Sequence, residues 1–390
     1  MPTLAFYGDS EGDEVFVIDV SSMKLLCRVP TGLGPYPVDL VGRTHVLAST
    51  RKEDSVTPIE ISSLTALSKV PLSHKPRSTS THENGLILVS GADSPVTSII
   101  DSKTWTVVGG PYGEPLSGEI EDFGGQLASG HERWLPDGDR FFILDRLRRR
   151  ISLYRHSTAT LLWVHETSTS CHHVVPDPSG SGTYYAMCEG SQAKNIPPSV
   201  LKLSPNGTDF TASGHAFLPV DVEQLASCGG HHVDIFGDNL YCGSNEGFTY
   251  ILNKDTLAFV TRIATGPGNG HTGFVQSGPG GTSLGVSINH TAQFVTIFDI
   301  ATHYPLQNVN ISTSTSTPTR RTQGHTSGKI GKYFYVMASL DSTFREIDSV
   351  SGAVTRSLVI PSKEGSSSTP FPMQGVFVAD MAAANCTQCC

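Results

Sequence analysis

Five histidines follow a small residue at the head of a short, mostly apolar segment: Gly130-His131, Cys171-His172, Gly230-His231, Gly270-His271 and Gly324-His325. Their successive spacings are 41, 59, 40 and 54 residues, the length of one supersecondary unit that buries its core against the next copy. One imidazole per repeat, at the same place in each, converges on a common axis when the repeats close into a ring. Imidazoles held side by side stay neutral, because like charges at close range oppose protonation. Neutral imidazoles sharing a divalent ion favour a transition metal (Cu, Fe or Zn) over Mg or Ca, which prefer oxygen ligands. The candidate metal ligands are therefore His131, His172, His231, His271 and His325. A site using three or four of them leaves a position for substrate or water.

Four further residues complete the expected chemistry. Glu189 in Cys188-Glu189-Gly190 and Glu246 in Asn245-Glu246-Gly247 occupy matching turns of adjacent repeats, where each can orient an imidazole or act as general base. Tyr36 and Arg77 stand where other repeats carry histidine, and the planar fork of Arg77 suits a carboxylate or similar anion. His290 falls in a turn just outside the imidazole ring. His173 and His232 directly follow ring positions and are expected to point away from them, His232 toward a neighbouring repeat. No Gly-rich phosphate loop or Gly-x-Ser-x-Gly elbow stands in a strand-to-helix setting.

Short strands must position these residues. Glu14 to Val20 with Lys24 to Pro30, Thr97 to Asp101 with Trp105 to Gly109, Phe294 to Asp299 with Leu306 to Asn310, and Thr343 to Asp348 with Val354 to Ile360 each read as strand, Asp, polar turn, strand. This unit resembles the YVTN or YncE-like repeat of β-propellers, a likeness of architecture that implies no catalytic residue. The fold expected is an all-β single propeller over residues 1–380, with eight four-stranded blades (seven is the alternative) and a Cys-rich tail at 381–390. Inner strands begin near Tyr36, Arg77, His131, His172, His231, His271 and His325. The segment Gln374 to Asp380 supplies an eighth, paired with N-terminal strands to close the ring.

Composition narrows the partners. A net charge of −9 argues against a nucleic-acid surface, and the basic run Arg146-Leu147-Arg148-Arg149-Arg150 reads as a solvated turn. No apolar run approaches the roughly 20 residues that span a bilayer, and Met1-Pro2-Thr3-Leu4 lacks a secretory pattern. A cytoplasmic protein with no membrane partner is expected. Among eight cysteines, Cys27, Cys171, Cys188 and Cys242 read as buried free thiols, and Cys386, Cys389 and Cys390 lie in the tail. Long connections at 110–129, 218–229, 312–323 and 362–372 are expected on the histidine face, the first carrying Glu114, Glu119, Glu121 and Asp122.

The function expected is that of a metalloenzyme acting on a small, anionic organic substrate, with redox chemistry favoured over Lewis-acid elimination, isomerisation or hydrolysis. Two other readings stay open. One is a tetrapyrrole site with an axial histidine, since the architecture resembles haem d1 propellers; the other is a protein-interaction scaffold. In the scaffold, the histidines serve as turn residues, as in WD40-type repeats.

Overall fold

The computed structural model describes residues 3–115, 127–276, 283–325, 328–364 and 368–378. The expected tail with Cys386, Cys389 and Cys390, and the acidic residues Glu119, Glu121 and Asp122, lie outside these described residues.

The local chemistry of the repeat is visible at its turns. Asp19, Asp101, Asp299 and Asp348 each close a strand and accept backbone N–H groups just ahead: Ser21 at 2.9 Å, Lys103 at 2.8 Å, Thr302 at 2.7 Å and Val350 at 2.9 Å. A short carboxylate that satisfies its own turn is what reverses the chain there. The strands before those turns bury nearly every residue, whereas the strands after them are largely exposed, Val354–Val359 with a clear alternation. The first pattern marks a strand covered on both faces and the second a half-covered edge.

The fold class is the expected one: all-β, eight propeller blades, with almost no helix among the described residues. Seven sheets have four antiparallel strands. In the eighth, the outer strand is broken into Thr65–Ala66 and Val70–Pro71, both paired with Ser55–Glu60. Pro372–Val378 pairs with Leu4–Asp9, so the last and first strands share one blade.

The chain divides into two compact units. One comprises Met1–His172, Asn206–Phe210 and Gln374–Cys390, the other His173–Pro205 and Thr211–Met373. A core of the second unit joins Val275, Val286, Ile288, Val295 and Ile297 to Phe334, Val336 and Ile347. Each such side chain contributes about 1.5–3 kcal/mol by leaving water.

Cys171 and Cys188 are disulfide-bonded, which corrects the expectation of free thiols there. Which cysteines become covalently linked depends on packing that strands read one at a time do not reveal. Cys27 and Cys242 are free, as expected.

Candidate metal centre

Four imidazoles of the second unit gather at one point. His231, His271, His290 and His325 each present one ring nitrogen within 4.8 Å of the others. His231 and His290 are buried, while His271 and His325 are partly exposed. Ring centroids of His290 and His325 lie 4.2 Å apart, and those of His231 and His271 5.1 Å apart.

Backbone irregularity puts the rings there. Inner strand Gly230–Phe236 slips register between Gly230 and Val233, and Asn269–Gln276 slips between Asn269 and His271. The inner strands carrying Tyr36 and Arg77 slip at the same place. A bulge inserts residues that have no partner across the ladder and re-aims their side chains. His231 and His232 share one such bulge, which explains why His232 does not turn away from its neighbour as expected. Its ring lies 4.7 Å from that of His231, 3.9 Å from that of His271 and 4.0 Å from that of His173.

His290 enters from a turn rather than an inner strand, and it is the ligand candidate that repeat spacing placed just outside the ring. Its Nδ1 lies 3.3 Å from the carbonyl of Gln323. A carbonyl only accepts, so Nδ1 carries the proton and the lone pair sits on Nε2. Gln323 is itself fixed: it donates to the carbonyls of Ala292 at 2.8 Å and Phe294 at 2.7 Å, and accepts from the Asn289 N–H at 3.2 Å. This buried amide orients the ring in the manner of a partner behind a metal ligand. Nothing in the repeat pattern marked it.

Electrostatics keeps the rings neutral. Burial, then the charge of Arg321, lowers His271 to about 3. Burial, Arg321 and His271 together hold His290 well below the ordinary imidazole value, with the Gln323 carbonyl opposing them. The buried Nε2 atoms of His271 and His290 make no hydrogen bond among the described residues.

This donor set fits a metal. It is all imidazole, and two of its lone pairs have no protein donor. Nitrogens around a tetrahedral ion with bonds of about 2.0 Å lie about 3.3 Å apart, within reach of small ring rotations from the present spacing.

No family model matches the chain, and no curated protein matches it. Solved structures do. Dihydro-heme d1 dehydrogenase NirN, in complex with DHE, aligns at a TM-score of 0.70 and 12% identity over 96% of this chain and 75% of that one. Apo AztD from Citrobacter koseri aligns at 0.63 and 14%, over 96% of this chain and 98% of its own. The computationally designed Ika8 protein aligns at 0.59 and 10%, over 92% and 93%. At such identities the likeness is one of fold, which hosts unrelated functions.

The remaining predicted residues lie as follows. His131 and His172 belong to the other unit, where their rings are 5.1 Å apart and the His131 N–H donates to the His172 carbonyl at 2.7 Å. Tyr36, also there, lies under the Arg51 guanidinium at 3.9 Å, and Arg51 donates to the Arg77 carbonyl at 3.0 Å. Arg77 is 2% exposed and its charge bears on Glu132, which also accepts from the Thr97 hydroxyl. Glu246 accepts from the Tyr250 hydroxyl at 2.8 Å and from the Ser244 hydroxyl. Glu189 is half-buried, and its carbonyl takes the Gly230 N–H at 3.0 Å.

Proposed function

We propose that this protein binds one transition-metal ion of the Cu, Fe or Zn class through His231, His271, His290 and His325. The observation that carries the reading is the convergence of four imidazole nitrogens within 4.8 Å, two of them buried and without hydrogen bonds. The strand–Asp–turn–strand repeat supports kinship with YVTN or YncE-like propellers. The metal is the small partner; when bound, it supplies Lewis acidity or, for Cu or Fe, electron transfer. His231, His271, His290 and His325 would hold it, and Gln323 keeps the His290 proton on Nδ1.

A substrate-transforming metalloenzyme, with redox chemistry ahead of Lewis-acid chemistry, is the second reading. One contact favours it: Arg321 engages His325, and three-imidazole ligation leaves a coordination position open.

The test is elemental analysis of full-length protein made without a metal-binding tag, before and after reconstitution with Zn(II), Cu(II) or Fe(II). One equivalent is expected, and its loss in the His231→Ala/His290→Ala variant. Wild-type protein that takes up none of these ions sinks the reading, and visible absorbance on purification diverts it to a tetrapyrrole.

A further inference from the structure

We propose that Arg321 is a gate on the four-imidazole site, holding the lone pair of His325 until an entering metal ion takes its place. The inference rests on the metal-binding reading above and concerns how the site fills.

Arg321 Nη1 lies 2.7 Å from Nε2 of His325. A guanidinium has only donors and keeps its charge at any physiological pH. The His325 nitrogen in this bond is therefore the acceptor, and a neutral imidazole has a single lone pair. Whichever ring nitrogen faces the metal, His325 cannot ligate while this bond stands. If Nε2 is the ligating atom it is already occupied, and if Nδ1 is, that atom carries the proton.

The surroundings fit a gate rather than a fixed strut. Arg321, His325 and His271 are partly exposed, whereas His231 and His290 are buried. The chain on its C-terminal flank is anchored: the N–H groups of Thr322 and Gln323 reach the His290 carbonyl at 2.8 and 3.3 Å. His325 donates its own N–H to the Met373 carbonyl at 2.7 Å. Backbone positions are thus set, and what can move is the long Arg321 side chain.

Its charge also reaches His271 and His290. A guanidinium at this position and a divalent ion among the same four rings repel each other. Entry of the ion therefore exchanges two interactions at once: the Arg321–His325 hydrogen bond breaks, and a metal–nitrogen bond forms on the lone pair it releases. No proton moves.

The test is a double-mutant cycle on the full chain, reading Zn(II) affinity by competition with a chromophoric chelator. Four proteins are compared: wild type, Arg321→Ala, His325→Ala and the double variant. Loss of a hydrogen bond to a charged donor predicts that Arg321→Ala tightens Zn(II) binding about tenfold in the wild-type background. In the His325→Ala background only the repulsion through space remains, and the same change tightens binding clearly less than in the wild-type background. Arg321→Met, which keeps the apolar stem, runs the same cycle where the alanine variant folds poorly. Equal tightening in both backgrounds overturns the gate, because the charge then acts through space without His325. Unchanged or weakened binding in Arg321→Ala also overturns it, while Zn(II) binding by the wild type leaves the metal site standing. Failure of wild type and Arg321→Ala alike to bind Zn(II) removes site and gate together.

Discussion

A Cβ added to Gly270 would lie 2.3 Å from Nε2 of His290 and 3.1 Å from Nδ1 of His231. The glycine before His271 is therefore the clearance that lets two neighbouring imidazoles meet.

Gly270→Ala follows directly as a test. The added methyl must push His290 off its position, an overpacking cost of about 1–3 kcal/mol to the fold. Metal affinity should fall at least about tenfold, since ligands displaced from their positions lose what pre-organisation gave them. Chelator competition and a thermal melt read the two effects separately. Affinity equal to wild type would mean that the ion does not sit between His231 and His290.

Acid sensitivity is the second expectation. His271 protonates near 3 in the folded chain and His290 well below its ordinary 6.5, chiefly because both are buried. The unfolded chain binds those protons near 6.5, so below that pH it holds more protons than the folded chain. Stability of the metal-free protein therefore falls as the pH drops from 6.5 toward 3, and these rings leave it unchanged above 6.5. Each ring sets a slope of about 1.4 kcal/mol per pH unit within the window. Urea midpoints measured with chelator present should decline through that range, and the decline should flatten in His271→Gln/His290→Gln. A variant with the same acid slope as the wild type would place the cause elsewhere.

The repeat was legible because its cause is local. An Asp that caps its own turn and a strand buried on both faces leave a pattern within a few residues, and the inner strands begin near the expected positions, the ones expected at His131 and His325 starting at Arg133 and Gly328. Three of the four gathered imidazoles, His231, His271 and His325, were readable for the same reason. The repeat spacing places His290 in a turn just outside the ring, since a turn residue's direction depends on the bulge of the neighbouring strand. Gln323 and Arg321 left no periodic signal at all: one acts through a carbonyl behind a ring, the other through a side chain reaching back along its connection. The disulfide state of Cys171 and Cys188 depends on which strands become neighbours, which single-strand patterns do not encode.

Arg77 separates a binding role from a structural one. At the head of an inner strand it resembles an anion anchor, yet it is 2% exposed and its charge acts on Glu132, 5% exposed. Burial pushes the Glu132 carboxyl well above the usual range, while the Thr97 hydroxyl and Arg77 pull it back. Removing Arg77 takes away a positive charge that favours the buried Glu132 carboxylate, a loss of up to about 3–5 kcal/mol for a fully ionised buried pair, whereas removing both together is often close to neutral. Arg77→Met should therefore destabilise strongly, and Arg77→Met/Glu132→Gln should recover most of that loss in urea unfolding, a coupling that independent sites do not show. An Arg77 that served chiefly to hold an anionic substrate would give the opposite result: Arg77→Met with near wild-type stability and no rescue by the second change. The cycle thus decides whether the arginine at this ring position faces a ligand or completes the wall behind it.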